Sequence, residues 1–139
     1  MEILKIVLIF TFFIQLSLSS QKNAFELADM CIKELNITND TIKLLSSTNV
    51  RDPTMEYKCF HKCFFEKADF VKNSAIQEAN IIKMLTEEFT FTKENVEKAL
   101  RACRDVDIIS NDCDSIFDYL LCMKENLPKR GIQAIESTV

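Results

Sequence analysis

Cys59-Phe60-His61-Lys62-Cys63-Phe64-Phe65-Glu66-Lys67 sets two cysteines four positions apart within a run that reads as helix. Side chains at i and i+4 project from the same side of a helix. Joining Cys59 to Cys63 would need Cβ vectors that a regular helix does not supply. Each cysteine is therefore expected to reach a different helix. Working outward, Asp52 is placed as the cap and Pro53 as the first helical residue, where its missing N–H has no partner to lose. The helix is expected to run to about Phe70. Tyr57, His61, Phe65 and Ala68 fall at helical spacing along it and form one candidate strip.

The same spacing recurs along the rest of the chain and gives six short helices. The first runs from about Asn23 to Leu35, with Ala24, Leu27, Ala28, Cys31 and Leu35 on one face. Thr38 caps a second that carries Ile42 and Leu45 inward. A break at Asn73-Ser74 precedes a fourth, from about Gln77 to Phe89. Thr92 caps a fifth, with Val96, Ala99, Leu100 and Cys103 on one stripe. Ser110 or Asp112 caps a sixth that ends at Asn126, ahead of Pro128. Composition supports this all-α reading. The chain of 139 residues holds a single glycine, Gly131, and two prolines, whereas hairpin turns and phosphate-cradling loops lean on glycine for positive φ. A Gly-rich nucleotide loop is excluded. A formal net charge of −4 argues against nucleic acid as a partner, because counterion release needs a basic surface.

Residues 1–20 read as an export signal: Lys5 closes a short charged start, Ile6 to Leu16 form an apolar run, and Ser17, Ser19 and Ser20 follow. Cleavage is expected after Ser19 or Ser20, leaving residues 21–139 as one domain. The competing reading, a retained anchor, requires about 20 apolar residues, and Thr11 and Gln15 interrupt this shorter run. Export changes how the cysteines are read. Cys31, Cys59, Cys63, Cys103, Cys113 and Cys122 are even in number, and in an oxidising compartment that implies three disulfides. The i,i+4 argument removes some of the possible connectivities and leaves the others open. Asn36-Ile37-Thr38 and Asn39-Asp40-Thr41 are N-glycosylation sequons close enough that at most one of Asn36 and Asn39 is expected to be used.

The six cysteines are separated by 27, 3, 39, 9 and 8 residues. This order of gaps resembles the six-cysteine insect odorant-binding proteins (the pheromone and general odorant-binding proteins), across Cys31 to Cys122 and including the Cys59–Lys67 stretch. The resemblance implies a compact six-helix bundle stapled by three interlocked disulfides, Cys31–Cys63, Cys59–Cys113 and Cys103–Cys122, around a hydrophobic cavity. By position relative to the cysteines it points to Leu27, Ile81, Met84, Val96, Ala99, Leu120 and Met123 as cavity wall. Ile132 joins them from a tail, residues 128–139, that covers the pocket. It further implies an extracellular carrier for small hydrophobic semiochemicals in sensillar lymph, a monomer or weak homodimer, with an olfactory receptor as a further partner and no membrane insertion.

Each of these residues also has a plainer reading. Amphipathic spacing does not separate cavity wall from solid core, and Met84 and Met123 serve either as adaptable wall or as ordinary packing. His61, the only histidine, is read foremost as solvent-facing; its functional reading is a hydrogen bond to a ligand alcohol or carbonyl. A single histidine argues against histidine-driven pH release. No cofactor or metal is expected: paired histidines and Cys-x-x-Cys spacings are absent. An enzyme is not expected either: a secreted phospholipase, which is also helical and disulfide-rich, needs a His-Asp pair and a glycine-bearing calcium loop, whereas His61 is followed by Lys62 and no such loop is present. The alternatives carried forward are a non-olfactory lipophile carrier of the same fold and a membrane-active or signalling helical protein.

Overall fold

The computed structural model describes residues 2–7, 22–47, 50–109 and 112–129. Residues 2–7 are helical and exposed; the helices from residue 24 onward build the bundle. They are α1 (Ala24–Glu34), α2 (Asn39–Leu45), α3 (Met55–Lys67), α4 (Glu78–Glu87), α5 (Lys93–Ala102) and α6 (Cys113–Asn126). Side-chain caps explain where most of them begin. The oxygens of Asn23, Thr38, Thr54, Thr92 and Asp112 each accept an N–H of the first turn, satisfying a donor that has no partner within the helix. Ser110, the other candidate cap for α6, lies outside the described residues.

The start of α3 differs from the expectation. Asp52 sits at φ 52°, in the left-handed region, so it turns the chain and does not cap. Pro53 therefore precedes the cap, and extended Thr54 holds the Tyr57 N–H at 3.2 Å. The end of α3 is earlier than Phe70. Asp69 takes φ 57°, its N–H donates to the Glu66 carbonyl, and the Phe70 N–H donates to the Phe65 carbonyl at 2.8 Å. This is a Schellman termination with aspartate where glycine is usual. Asn36, at φ 51°, ends α1 the same way through the Ile37 N–H and the Ile32 carbonyl.

Between α3 and α4 lies a feature the composition argued against. β1 (Val71–Lys72) and β2 (Ala75–Ile76) pair antiparallel, Val71 with Ile76 and Lys72 with Ala75. Asn73 and Ser74 link them at φ 52° and 61°, the two positive values of a type I′ turn. Scarce glycine therefore does not exclude a hairpin, because Asn, Asp and Ser occupy the left-handed positions instead. The ribbon is two residues deep and leaves the fold all-α.

Cys31 bonds Cys63, Cys59 bonds Cys113 and Cys103 bonds Cys122, with Cα–Cα distances of 5.9, 4.8 and 5.9 Å. These are the pairs that the resemblance implied. They tie α1 to α3, α3 to the start of α6, and the end of α5 to α6, and each loop closure contributes about 3–4 kcal/mol when taken alone. Lys67 to Glu34 at 2.7 Å and Lys58 to Asp114 at 2.7 Å add polar ties along the first two seams, and Arg104 to Glu78 at 3.1 Å joins the end of α5 to the start of α4. α3 packs most extensively against α6. The apolar interior is divided. One cluster gathers Ala28, Cys31, Leu45, Tyr57, Phe60 and Phe117 from α1, α2, α3 and α6. The larger one gathers Phe65, Ile81, Leu85, Val96, Leu100, Ile116 and Met123 from α3, α4, α5 and α6. Phe64 and Leu120 touch both.

Candidate functional site

A cavity of about 140 Å³ opens where the two clusters meet. α3 is its main wall. Tyr57, Phe60, His61, Phe64 and Phe65 follow one helical stripe into it, while Cys59 and Cys63 leave the same helix for other partners. α6 supplies Tyr119, Leu120, Met123 and Lys124, with Leu127 at its C-terminal cap. α4 supplies Ile81, Met84 and Leu85, and Phe89 follows it. Ala24 and Phe25 of α1, Leu45 at the end of α2, Ser47 and Phe70 complete the lining. Several rings meet edge to face: Phe65 with Phe70 at 5.4 Å, Phe64 with Phe70 at 6.0 Å, and Phe65 with Tyr119 at 6.3 Å. Such pairs hold aromatic walls in fixed orientations.

The polar groups of this wall are few. His61 is directed inward and not toward solvent, which corrects the expectation for it. Its Nε2 is sealed from solvent and has no hydrogen-bond partner. The rings of Tyr57, Phe60 and Phe117 surround the imidazole at 4.7, 5.3 and 6.0 Å. Burial, and secondarily the positive charge of Lys124, push its pKa down to about 3, so the ring is neutral at physiological pH. Burial, followed by the charge of Glu78, pushes the Tyr119 phenol up to about 12, so it too stays uncharged. At the rim, the Glu88 carboxylate accepts the Ala24 N–H at 2.7 Å. That contact fixes the start of α1 over the end of α4, next to Phe25, which lines the cavity while remaining 62% exposed.

Of the wall residues expected from sequence, Tyr57, His61, Phe65, Ile81, Met84, Leu120 and Met123 come together here. Val96 and Ala99 do not reach the cavity. They have no accessible surface and pack in the solid cluster around α5. Leu27 is buried beside a second, polar groove of about 310 Å³, together with Ala68, Lys22, Lys67, Lys83, Asp69 and Glu87. Ile132 and most of the tail lie outside the described residues. Sequence reasoning passed over Phe60 and Phe64, although the i, i+3, i+4, i+7 stripe that begins at Tyr57 includes both. Phe70, Phe89 and Leu127 follow helix ends, where periodicity carries no signal. Among the described residues no group of His, Cys, Asp or Glu side chains could hold a metal ion. Among the same residues no helix is long and apolar enough to cross a membrane.

Comparison with known proteins places this architecture. The family model for the PBP/GOBP family matches residues 15–126. General odorant-binding protein 56a of Drosophila melanogaster is 27% identical over 100 residues, covering 72% of this chain and 70% of the relative. General odorant-binding protein 19d of the same fly is 21% identical over 121 residues, covering 84% and 80%. Among solved structures, the fatty acid binding protein OBP56a from the oral disk of the blowfly Phormia regina superposes with a TM-score of 0.59 at 30% identity, covering 74% of this chain and 87% of that one. An odorant binding protein of Locusta migratoria shares the fold, with a TM-score of 0.65 at 15% identity over 83% of this chain and 87% of its own. With its six paired cysteines and helical bundle, the chain belongs to the PBP/GOBP family, the insect odorant-binding proteins.

Proposed function

We propose that the chain is an extracellular carrier that takes small hydrophobic molecules, odorants or pheromones, reversibly into the cavity between its two clusters and ferries them through aqueous lymph. The observation that carries this reading is the cavity itself: an apolar, aromatic-rich hollow in a domain small enough that it would ordinarily use every apolar contact. An apolar cavity of roughly 150 Å³ stays dry and admits a benzene-sized guest, which makes the present volume of about 140 Å³ sufficient for a compact ligand. Longer chains would extend past Phe25 at the rim. Each methylene withdrawn from water contributes about 0.8 kcal/mol, so affinity rises with chain length until the hollow and its mouth are filled.

In this reading residues 1–20 are removed on export, the tail from Pro128 covers the pocket, and the mature chain is a monomer or weak homodimer that delivers its ligand to an olfactory receptor. Asn36 and Asn39 are both exposed, and at most one of them carries an N-glycan. Tyr57, His61, Phe65, Ile81, Met84, Leu120 and Met123 contact the ligand, and none performs covalent chemistry. A second reading keeps the carrier and changes the cargo. The blowfly relative is described as a fatty acid binding protein of the oral disk, which favours a non-olfactory lipophile carrier. The deciding experiment is displacement of a fluorescent apolar probe from the full mature chain by a panel of volatiles and fatty acids. Displacement by volatiles at micromolar concentration supports the olfactory reading, and displacement by fatty acids alone supports the second. A probe that fails to bind overturns both.

A further inference from the structure

We propose that His61 is the polar anchor of the cavity, and that the ligand class is amphiphilic: a small apolar body ending in a hydroxyl or carboxyl oxygen that bonds the imidazole Nε2. The inference rests on the carrier reading and specifies its cargo. Its basis is a polar atom out of place. Nε2 has neither solvent nor a protein partner, and the neighbouring rings of Tyr57, Phe60 and Phe117 surround it with hydrocarbon. A buried polar group without a hydrogen bond destabilises the fold that contains it. A phenylalanine at this point of the stripe, like Phe60, Phe64 and Phe65 beside it, would avoid that loss.

His61 lines the same cavity as the apolar wall, and because its Nε2 is sealed from solvent, a guest that fills the hollow bonds it through a rotation of the imidazole toward the cavity. A hydroxyl suits the site in either tautomer, donating to a bare Nε2 or accepting from a protonated one. A carboxyl group can use the same atom and also gains from the positive charge of Lys124, which lines the cavity one helical residue from Met123. A pure hydrocarbon satisfies neither and leaves Nε2 as it is in the empty protein. The imidazole stays uncharged because burial disfavours the cation, so the anchor works by hydrogen bonding and is not titrated away at neutral pH. Discrimination between oxygenated and plain ligands is then a property of one side chain, on the reasoning that a site built around a buried polar atom penalises ligands that leave it unpaired.

The test compares octanol, octanoic acid and octane as competitors of a fluorescent apolar probe, on the mature wild-type chain and on His61→Phe and His61→Gln. The expected result is that His61→Phe binds octanol and octanoic acid about tenfold more weakly and binds octane as well as wild type or better, while His61→Gln keeps most of the preference. Equal loss for all three ligands, or no loss for any, overturns the anchor while the carrier reading stands. Failure of the probe to bind wild type overturns the carrier reading and the anchor with it. Nitrogen NMR of the His61 imidazole in the wild-type chain serves as a second measurement that does not depend on the variants folding. The Nε2 resonance should move on adding octanol and stay in place with octane; identical responses to both overturn the proposal.

Discussion

His61 leaves a signature in the stability of the empty protein. Its folded pKa is pushed down to about 3 by burial and then by Lys124, whereas an unfolded histidine titrates near 6.5. Below about pH 6.5 the unfolded chain takes up a proton that the folded chain refuses, so stability is fully present above that value and is lost as pH falls toward the folded pKa. Between pH 7 and pH 5 this one group should remove about 2 kcal/mol of unfolding free energy. Urea titrations at the two pH values should show that difference for the wild type and a flat response for His61→Phe. An equal slope in both would mean that the imidazole is solvated. The direction of His61 was not legible in the sequence. Lys62 beside it, between the same two cysteines, makes a half-buried ion pair with Glu66 at 2.9 Å, and both residues sit on a helix that is polar along one side. Only the packing of Phe117 from α6 against Tyr57 and His61 settles which way the ring faces.

The helices are the part of the fold that a local reading recovers, because capping and spacing are local. Thr38, Thr92 and Asp112 act as caps where expected, and the apolar stripes of α1, α5 and α6 face the interior, except that Leu35, at the end of the α1 stripe, is exposed. The misplacements share one cause. Asp52, Asp69, Asn73 and Ser74 adopt positive φ, a conformation those residue types visit without requiring it. Scarcity of glycine therefore hid both the delayed start of α3 and the hairpin after it. The hairpin offers a direct test at this scale. Ser74 at φ 61° carries a Cβ into the left-handed region, and glycine would remove that conflict. Ser74→Gly should raise unfolding free energy by up to about 1 kcal/mol, despite the greater freedom glycine gives the unfolded chain. Ser74→Val should lower it by a similar or larger amount, because a β-branched residue tolerates positive φ poorly. Thermal melts of the two variants should bracket the wild type, and the reverse order would rule out the type I′ turn.

At the scale of the whole molecule, the question is which apolar side chains are packed solid and which face a hollow, and here the sequence is silent for a definite reason. Val96 and Met84 sit on equally good amphipathic stripes. Yet α5 lies behind α4 and α6, where Val96 has no accessible surface, while α4 turns Met84 toward the seam between the clusters. The distinction arises from how the helices meet, and no single helix encodes it. Substitution can separate the two cases because the costs have opposite signs. Val96→Ala removes methyl groups from a filled region and should cost about 2 kcal/mol of stability, while leaving probe binding close to wild type. Met84→Phe adds volume where volume is missing. It should leave the melting temperature unchanged or raised, since no packed neighbour is displaced, and it should weaken probe binding about tenfold by occupying the space of the guest. If Met84→Phe instead destabilised the chain by the 1–3 kcal/mol typical of an overfilled core and left binding intact, α4 would be ordinary core and the guest would have to lie elsewhere. The two variants thus read wall and core independently, with stability reporting the packing and the probe reporting the hollow.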